Sequence, residues 1–405
     1  MMSFYTEQES TYKNIAVIGC GAAGGMVSIL LAKNPYYKVT AFDIKEPFST
    51  LLPTGGGRCN LTNAENDIKE FAKNYPRGEK FLLSVFSKFN AEQTRKLFKD
   101  LGVKTYVQPD RRVFPQSNSS ADTINILRKH LNTSNFKFVK EKVISLDKKE
   151  DCFELKTPSQ NFKFDKVVIA TGGRGSGFEL AKHLGHHIIE CKPSLCALDI
   201  SEKDFYELSG LSFSDVEIEF KNEKSKRISC SGDFLFSHKS ITGPAVFKVS
   251  ALCAYMNFSK ENPLVLNIKL KNIQKEEFEK LLVENNKKSI KNTFSLIMPE
   301  KFVSVVLKIH NIDGNKQTAQ IKKNEKEILI NSINNLKLNA ISRIKDSEIV
   351  TAGGIDLKEI NAKTTESKIV QGLYCIGEVL DIDGFTGGFN LQNCWSGAYL
   401  CSLNI

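Results

Sequence analysis

The sequence has no Cys-x-x-Cys pair among its ten cysteines, so a structural zinc site is not expected. At 405 residues it is also too long for a disulfide framework, which belongs to short secreted chains. No uncharged apolar run reaches the roughly 18 residues of a membrane-crossing helix; Ala245 to Met256 comes nearest, and Lys248 interrupts it. The opening Met-Met-Ser-Phe-Tyr-Thr-Glu-Gln-Glu-Ser lacks the basic and apolar regions of an export signal, which makes the cytoplasm the expected compartment. No Gly-x-Ser-x-Gly or Ser-His-Asp arrangement points to a hydrolase. His183, His186 and His187 lie on or just after a predicted helix and bring no added carboxylates, so no metal is expected. No internal repeat or low-complexity linker breaks the chain.

What is present suits a folded protein of two or three domains, or one large domain with an insertion. The apolar fraction, 41%, allows a sizeable core. The formal charge of +10 favours encounters with nucleic acid or anionic ligands without proving a partner. Lysine far outnumbers arginine, is spread along the chain and is interleaved with glutamate. Solvated helix faces explain that pattern, and contact with RNA stays open. Cys191 and Cys196 are spaced as in some flavin disulfide reductases. A redox pair of that kind sits just after the first βαβ unit, so these two are read as ordinary thiols.

Asn14 to Ile18 is a short β-type run bounded by glycine, followed by a helical pattern from Ala22 to Lys33 and a second strand from Lys38 to Ile44. This is the unit that starts a parallel, doubly wound sheet. Phe81 to Leu101 and Thr123 to Leu131 read as helices, the second capped by Ser119 or Ser120. Lys142 to Leu146, Cys152 to Lys156 and Phe162 to Phe164 read as antiparallel strands, and Asp165 to Ala170 as a strand running into Thr171-Gly172-Gly173. From Pro193 the character changes to short alternating segments such as Val216 to Phe220 and Leu264 to Leu270, and 273 to 345 reads as mostly helical. A strand at Gly372 to Gly377 and a helix at about Asn390 to Ser402 return to the opening style. The expected division is therefore 1–192 and 341–405 as one nucleotide domain, split by an insertion that is β-rich over 193–272 and helical over 273–340.

Gly19-x-Gly21-x-x-Gly24, with Ala22 and Ala23 between, follows a strand and opens a helix. The first glycine permits the turn, the second lets backbone approach a pyrophosphate, and the third lets helix and strand pack closely. Helix N–H groups then favour the anion. Asp43, 24 positions after Gly19, ends the second strand where a ribose hydroxyl would bind. One fingerprint does not separate FAD from NAD. A strand ending Ala170-Thr171-Gly172-Gly173, and a closing segment with Gly377-Glu378 and Asp383-Gly384 before a glycine-led helix, favour FAD. No second fingerprint follows a strand, so NAD(P)H is expected only as a transient electron donor.

The chain resembles the BaiN-like flavoproteins, a family of FAD-dependent oxidoreductases, over most of its length. The resemblance rests on Thr54 to Asn63 (TGGGRCNLTN), Arg112 to Pro115 (RVFP), Phe236 to Pro244 (FSHKSITGP), Val350 to Ile355 (VTAGGI) and Gly377 to Gln392 (GEVLDIDGFTGGFNLQ). It implies an α/β fold: a Rossmann-type FAD-binding domain of the glutathione-reductase-like, two-dinucleotide-domain superfamily, carrying an inserted β-barrel-like and helical substrate domain. The stretch Glu46 to Pro53 and the short Arg174-Gly175-Ser176-Gly177 loop depart from the family pattern. Both are expected near the cofactor or substrate, so substrate identity transfers less well than cofactor identity.

The resemblance also implies site roles. Gly56, Gly57, Arg58, Cys59 and Asn60 line the cofactor loop; Arg58 pairs with phosphate or else with a surface carboxylate. Cys59 is a small buried residue, and Asn60 and Asn63 shape the loop more than they touch substrate. Glu378 hydrogen-bonds the ribityl hydroxyls, and Gly387, Gly388, Asn390 and Leu391 present N–H groups to the flavin's pyrimidine edge. Val143 is similar to the strand residue whose backbone meets the adenine. His238 is the one histidine inside a recognisable motif, a candidate proton donor or substrate ligand, although a lone histidine is more often structural. The expected activity is NAD(P)H-driven reduction of an activated C=C bond, in uridine of ribosomal RNA or in a small enone. Oxidation of a small amine, or a non-catalytic FAD-containing RNA-binding protein, are the alternatives.

Overall fold

Strand β1, Lys13–Ile18, sits at the centre of a five-stranded sheet because both of its faces carry apolar side chains, and Ile15 to Ile18 are all buried. The computed structural model describes residues 12–344, 347 and 349–405, so the opening segment read for an export signal lies outside the described residues. All the pairings in this sheet are parallel, in the order Leu373–Cys375, Lys166–Ile169, β1, β2 (Tyr37–Phe42) and Phe136–Val139. Helix α1, Ala22–Leu31, connects β1 to β2 and is buried on nearly every side. It can be, because a second layer covers it: the closing helix Phe389–Asn404 packs against it.

The chain divides into two units, residues 1–192 with 351–405, and residues 193–350. The two crossings between them, Ile188–Ser194 and Val350–Ile355, pair as a two-stranded ladder. The first unit also carries two three-stranded antiparallel sheets. One is built from Ser145–Lys148, Phe153–Lys156 and Asn161–Phe164; the other from Thr62–Asn63, Arg112–Pro115 and Thr105–Val107.

The second unit holds a closed six-stranded barrel in the order Leu198–Ile200, Ser240–Thr242, Arg227–Phe236, Ser212–Lys221, Leu264–Lys269 and Leu336–Arg343. Ile218, Phe234, Phe236, Leu266 and Leu338 fill it and are fully buried. Helices Pro244–Leu252, Lys275–Glu284, Ile290–Phe294, Glu300–Ile309 and Lys323–Asn334 add apolar side chains to its core.

Three expectations are corrected. Residues 336–343 form the strand that closes the barrel, not the end of a helical region. Leu336, Leu338 and Ala340 alternate inward there, a period of two that the surrounding Lys and Asn obscure. A boundary at 340 would cut that strand. Phe81 to Leu101 is two helices, Glu79–Phe86 and Ala91–Asp100, because Asn90 and Gln93 form a capping box that starts a new helix. Val143 lies just before a strand that begins at Ser145.

The only tryptophan, Trp395, pins the closing helix: it is fully buried and donates from Nε1 to Leu61 O at 2.8 Å. Replacing it with Phe strands that carbonyl, and the expected loss is about 1–3 kcal/mol. Urea unfolding followed by circular dichroism measures it; an unchanged midpoint would contradict this role for the bond.

Candidate functional site

The glycine loop is closed by close contacts that leave no room for side chains. Gly19 has φ +93° and its N–H donates to Phe42 O at 2.8 Å. A Cβ on Gly24 would stand 1.8 Å from Gly19 O. The helix's first bond runs from Gly25 N–H to Gly21 O, so the N–H groups of Ala22, Ala23 and Gly24 have no intrahelical acceptor. Asp43 Oδ2 accepts from Cys20 N–H at 2.7 Å and Oδ1 from Lys45 N–H at 3.0 Å. Each oxygen keeps a second lone pair, enough for a ribose hydroxyl. Gly25 would meet the fully buried Phe48 ring at 2.5 Å if it carried a Cβ, so the Glu46 to Pro53 departure packs directly onto this helix.

The turn Thr171 to Gly173 stands at the end of the strand that pairs with β1. Gly172 has φ +72° with open space where a Cβ would be, and Thr171 Oγ1 is buried without a hydrogen-bond partner. Gly173 lies against Thr351 and Glu378, whose Oε1 would be 2.8 Å from an added Cβ. Glu378 Oε1 also accepts from Thr351 N–H at 2.8 Å. Burial, outweighing that bond, pushes the Glu378 carboxyl up to about 7. Gly377 is left-handed, φ +76°, with Ala23 Cβ 3.0 Å from where its own would stand.

The Gly-rich loop and the closing helix are tied to each other. With its amide oriented to suit its neighbours, Asn60 donates to Val113 O at 3.2 Å and Thr62 O at 3.0 Å, and accepts from Gly388 N–H at 2.9 Å. Thr62 Oγ1 donates to Gln392 Oε1 at 2.6 Å, and Asn63 Nδ2 to Gly387 O at 3.3 Å. Gly388, at φ +98°, abuts Thr62 O so closely that a Cβ would lie 2.4 Å away. The helix's first intrahelical donor is Gln392 N–H, which leaves the N–H groups of Phe389, Asn390 and Leu391 at its mouth.

Several expected roles change. The Asn60 side chain is spent on the loop, and the Gly388 N–H it binds is taken from the set expected at the flavin edge. The Asn390 amide closes on Gly384, accepting from its N–H at 2.8 Å and donating to its O at 2.7 Å. Asp383 is fully buried, and its carboxylate oxygens accept from Nε and Nη2 of Arg77, so it holds the loop rather than facing a ligand. Among the described residues Arg58 meets no carboxylate; its guanidinium lies 4.2 Å from the Phe114 ring centroid. Cys59 is buried at φ +63°, its thiol pushed up to about 11 by burial. Gly56 and Gly57 are left-handed and open to space. Val143 is buried. His238 lies in the second unit, exposed on a tight turn that Ser237 N–H closes onto Ser240 O at 2.7 Å.

Sequence reasoning missed Arg77, Thr351 and Arg128, whose Nε donates to Pro47 O at 2.9 Å beside the loop after β2. Only Thr351 lay within a recognised motif. A Ser-His-Glu chain is present: His186 lies 2.8 Å from Glu359 Oε2 and 2.9 Å from Ser367 Oγ. The imidazole is fully buried and Ser367 Oγ also accepts from the N–H groups of Ile369 and Val370, so the chain works as a cross-link. Among the described residues no cluster of His, Cys, Asp and Glu could hold a metal, and no helix is long and apolar enough to cross a membrane.

The residues present fit a dinucleotide. The left-handed glycines at 56, 57 and 172 border space that protein atoms do not fill, and the buried Thr171 hydroxyl beside them lacks a hydrogen-bond partner. Breaking the buried pair by Arg77→Ala is expected to cost about 3–5 kcal/mol, because it leaves Asp383 buried and uncompensated. Thermal unfolding of the flavin-free protein checks it. The raised Glu378 carboxyl favours the folded state when protonated. Its contribution is full below its unfolded value of 4.5 and lost as pH rises through about 7. Over that window the flavin-free wild type should lose up to about 3 kcal/mol relative to Glu378→Gln; parallel stability–pH curves would refute the shift.

The family model described as the HI0933-like protein Rossmann domain matches residues 13–404. A Clostridium scindens 3-dehydro-bile acid delta(4,6)-reductase is 27% identical over 402 residues, covering 95% of this chain and 97% of the relative. An Escherichia coli ribosomal RNA dihydrouridine synthase is 26% identical over 400 residues, covering 96% and 97%. The solved structure of Aquifex aeolicus GidA aligns with 97% of this chain at a TM-score of 0.39 and 12% identity, and this chain spans 64% of its length. The chain belongs to the HI0933-like Rossmann family, which bears out the resemblance to BaiN-like FAD-dependent oxidoreductases read from its motifs.

Proposed function

We propose that this protein uses FAD and NAD(P)H to reduce a C=C bond conjugated to a carbonyl, in a uridine of ribosomal RNA or in a ring enone. The observation that carries the reading is the glycine loop: a closed turn at a helix N-terminus, with Asp43 bonded to its backbone and the Thr171–Gly173 turn alongside. Family membership and the names of the two relatives, one a delta(4,6)-reductase and one a dihydrouridine synthase, support the reaction class. Uridine and enone reduction are the same act on an activated double bond.

FAD, when bound, supplies the two-electron redox chemistry. The chain's part is to bind and orient it. The Gly19–Gly24 loop, through the N–H groups of Ala22, Ala23 and Gly24, suits the pyrophosphate. Asp43 suits the adenosine ribose, and Val143 backbone the adenine. Glu378 suits the ribityl chain, with Thr171, Gly172 and Gly173 beneath it. Gly56, Gly57, Cys59 and the donors of Gly387, Asn390 and Leu391 surround the ring end. His238, the one histidine inside a family motif, is our candidate proton donor.

Two measurements test this. The purified yellow protein should bleach anaerobically with NADPH or NADH, and a flavin that resists both would sink the reductase reading. Deleting the gene should remove dihydrouridine from ribosomal RNA, read by mass spectrometry. An unchanged RNA profile with turnover of a ring enone would assign the substrate to small molecules.

A further inference from the structure

Four residues of one short loop have left-handed backbones: Gly55 (φ +58°), Gly56 (+67°), Gly57 (+80°) and Cys59 (+63°). Cys59 carries a Cβ, so this conformation persists only because its surroundings impose it, as happens where function requires a particular shape. What the loop presents is Arg58, the residue between them. Its guanidinium carbon lies over the ring of Phe114, 4.2 Å from the centroid, and Phe114 is fully buried and backed by Tyr106 at 6.3 Å between ring centroids. Its one hydrogen bond is a long one, Nε to Gly55 O at 3.4 Å.

Neighbouring arginines are paired: Arg111 with Glu65 and Arg112 with Asp110. Among the described residues no carboxylate pairs with Arg58. A partly buried guanidinium set over an aromatic ring, with neither Nη bonded among the described residues, is a pre-organised double donor for an oxygen. Its place in the unit says which oxygen. Asn60, two residues along, binds Gly388 N–H at the mouth of the closing helix, so the loop belongs to the end of the site proposed for the redox ring. The phosphate end has a different cation nearby, Arg128, whose charge acts on the Cys20 thiol in the glycine loop.

We infer that Arg58 binds the carbonyl oxygen of the substrate's conjugated C=C–C=O group and holds its charge while the double bond is reduced. The inference rests on the reductase reading above. A hydride originating from NAD(P)H adds to the β-carbon. The C=C π pair moves to join the α-carbon and carbonyl carbon, and the carbonyl π pair moves onto oxygen. That oxygen becomes an enolate, which a guanidinium holds more strongly than a neutral carbonyl. Transfer of one proton to the α-carbon restores the carbonyl, so the substrate gains two electrons and two hydrogens. A uracil ring and a ring enone both offer this oxygen, so Arg58 serves either substrate.

The test uses the flavin-loaded protein and the variants Arg58→Ala and Arg58→Lys. Flavin content and anaerobic bleaching by NADPH should match wild type. Turnover of cyclohexenone, or of ribosomal RNA from the deletion strain, should fall about 100- to 1,000-fold in Arg58→Ala and less in Arg58→Lys. Added guanidinium chloride should restore part of the Arg58→Ala turnover, where sodium chloride of equal strength does not. Binding of 4-nitrophenolate, a stable enolate mimic followed by its own absorbance, should weaken at least tenfold in Arg58→Ala. Unchanged turnover and phenolate binding would overturn the inference while leaving the reductase reading intact. Loss of flavin from both variants would also overturn it, assigning Arg58 to the cofactor. A wild type that bleaches but reduces neither substrate would reject the reductase reading itself, and the inference with it.

Discussion

The site depends on one docking: the closing helix Phe389–Asn404 against Leu61 and the strand Thr62–Asn63 that follows it, more than 300 residues earlier. Trp395 to Leu61 O, Thr62 to Gln392 and Asn60 to Gly388 N–H are all buried bonds across that gap. Bringing such distant segments together costs loop entropy that local contacts cannot repay. Burial of Trp395 and the apolar side of the helix supplies the driving force, and the polar bonds set its register. The same helix covers α1, so the glycine loop at residues 19–24 and the glycines at 387–388 are positioned by one packing event.

Glycine is used in this unit for two different reasons. At Gly24, Gly353 and Gly388 a Cβ would collide with backbone, so the residue is demanded by close packing. At Gly56, Gly57 and Gly172 there is no collision, only a left-handed backbone beside open space. The first group builds the frame and the second lines what the frame surrounds. Charged groups follow a similar division. Arg77 and Asp383 neutralise each other in the interior, whereas Arg58 rests on an aromatic ring.

Much of this was legible in the sequence because its signals are local. A strand, a glycine fingerprint, a helix and Asp43 are separated by short distances, and each obeys a rule that holds wherever the segment ends up. The final glycine-led helix and the antiparallel strands after residue 142 are local in the same sense. Leu336–Arg343 was not legible, since a lone strand after a helical region has no meaning until barrel partners at 264–269 and 198–200 appear. The break at Asn90 was missed because the apolar pattern continues across a capping box that only the backbone turn reveals.

The sequence by itself determined that a dinucleotide-binding unit opens the chain, that an insertion splits it, and which family it resembles. These follow from short-range periodicity and from glycines whose roles are set by their immediate neighbours. Tertiary structure decided what individual side chains do. Asp383 and Asn60, polar residues in ligand-like motifs, are spent on Arg77 and on Gly388, while Arg58 is left over the ring of Phe114. A motif fixes which groups are available, but hydrogen-bond partners are allotted only when distant segments meet and each buried polar atom takes the nearest one.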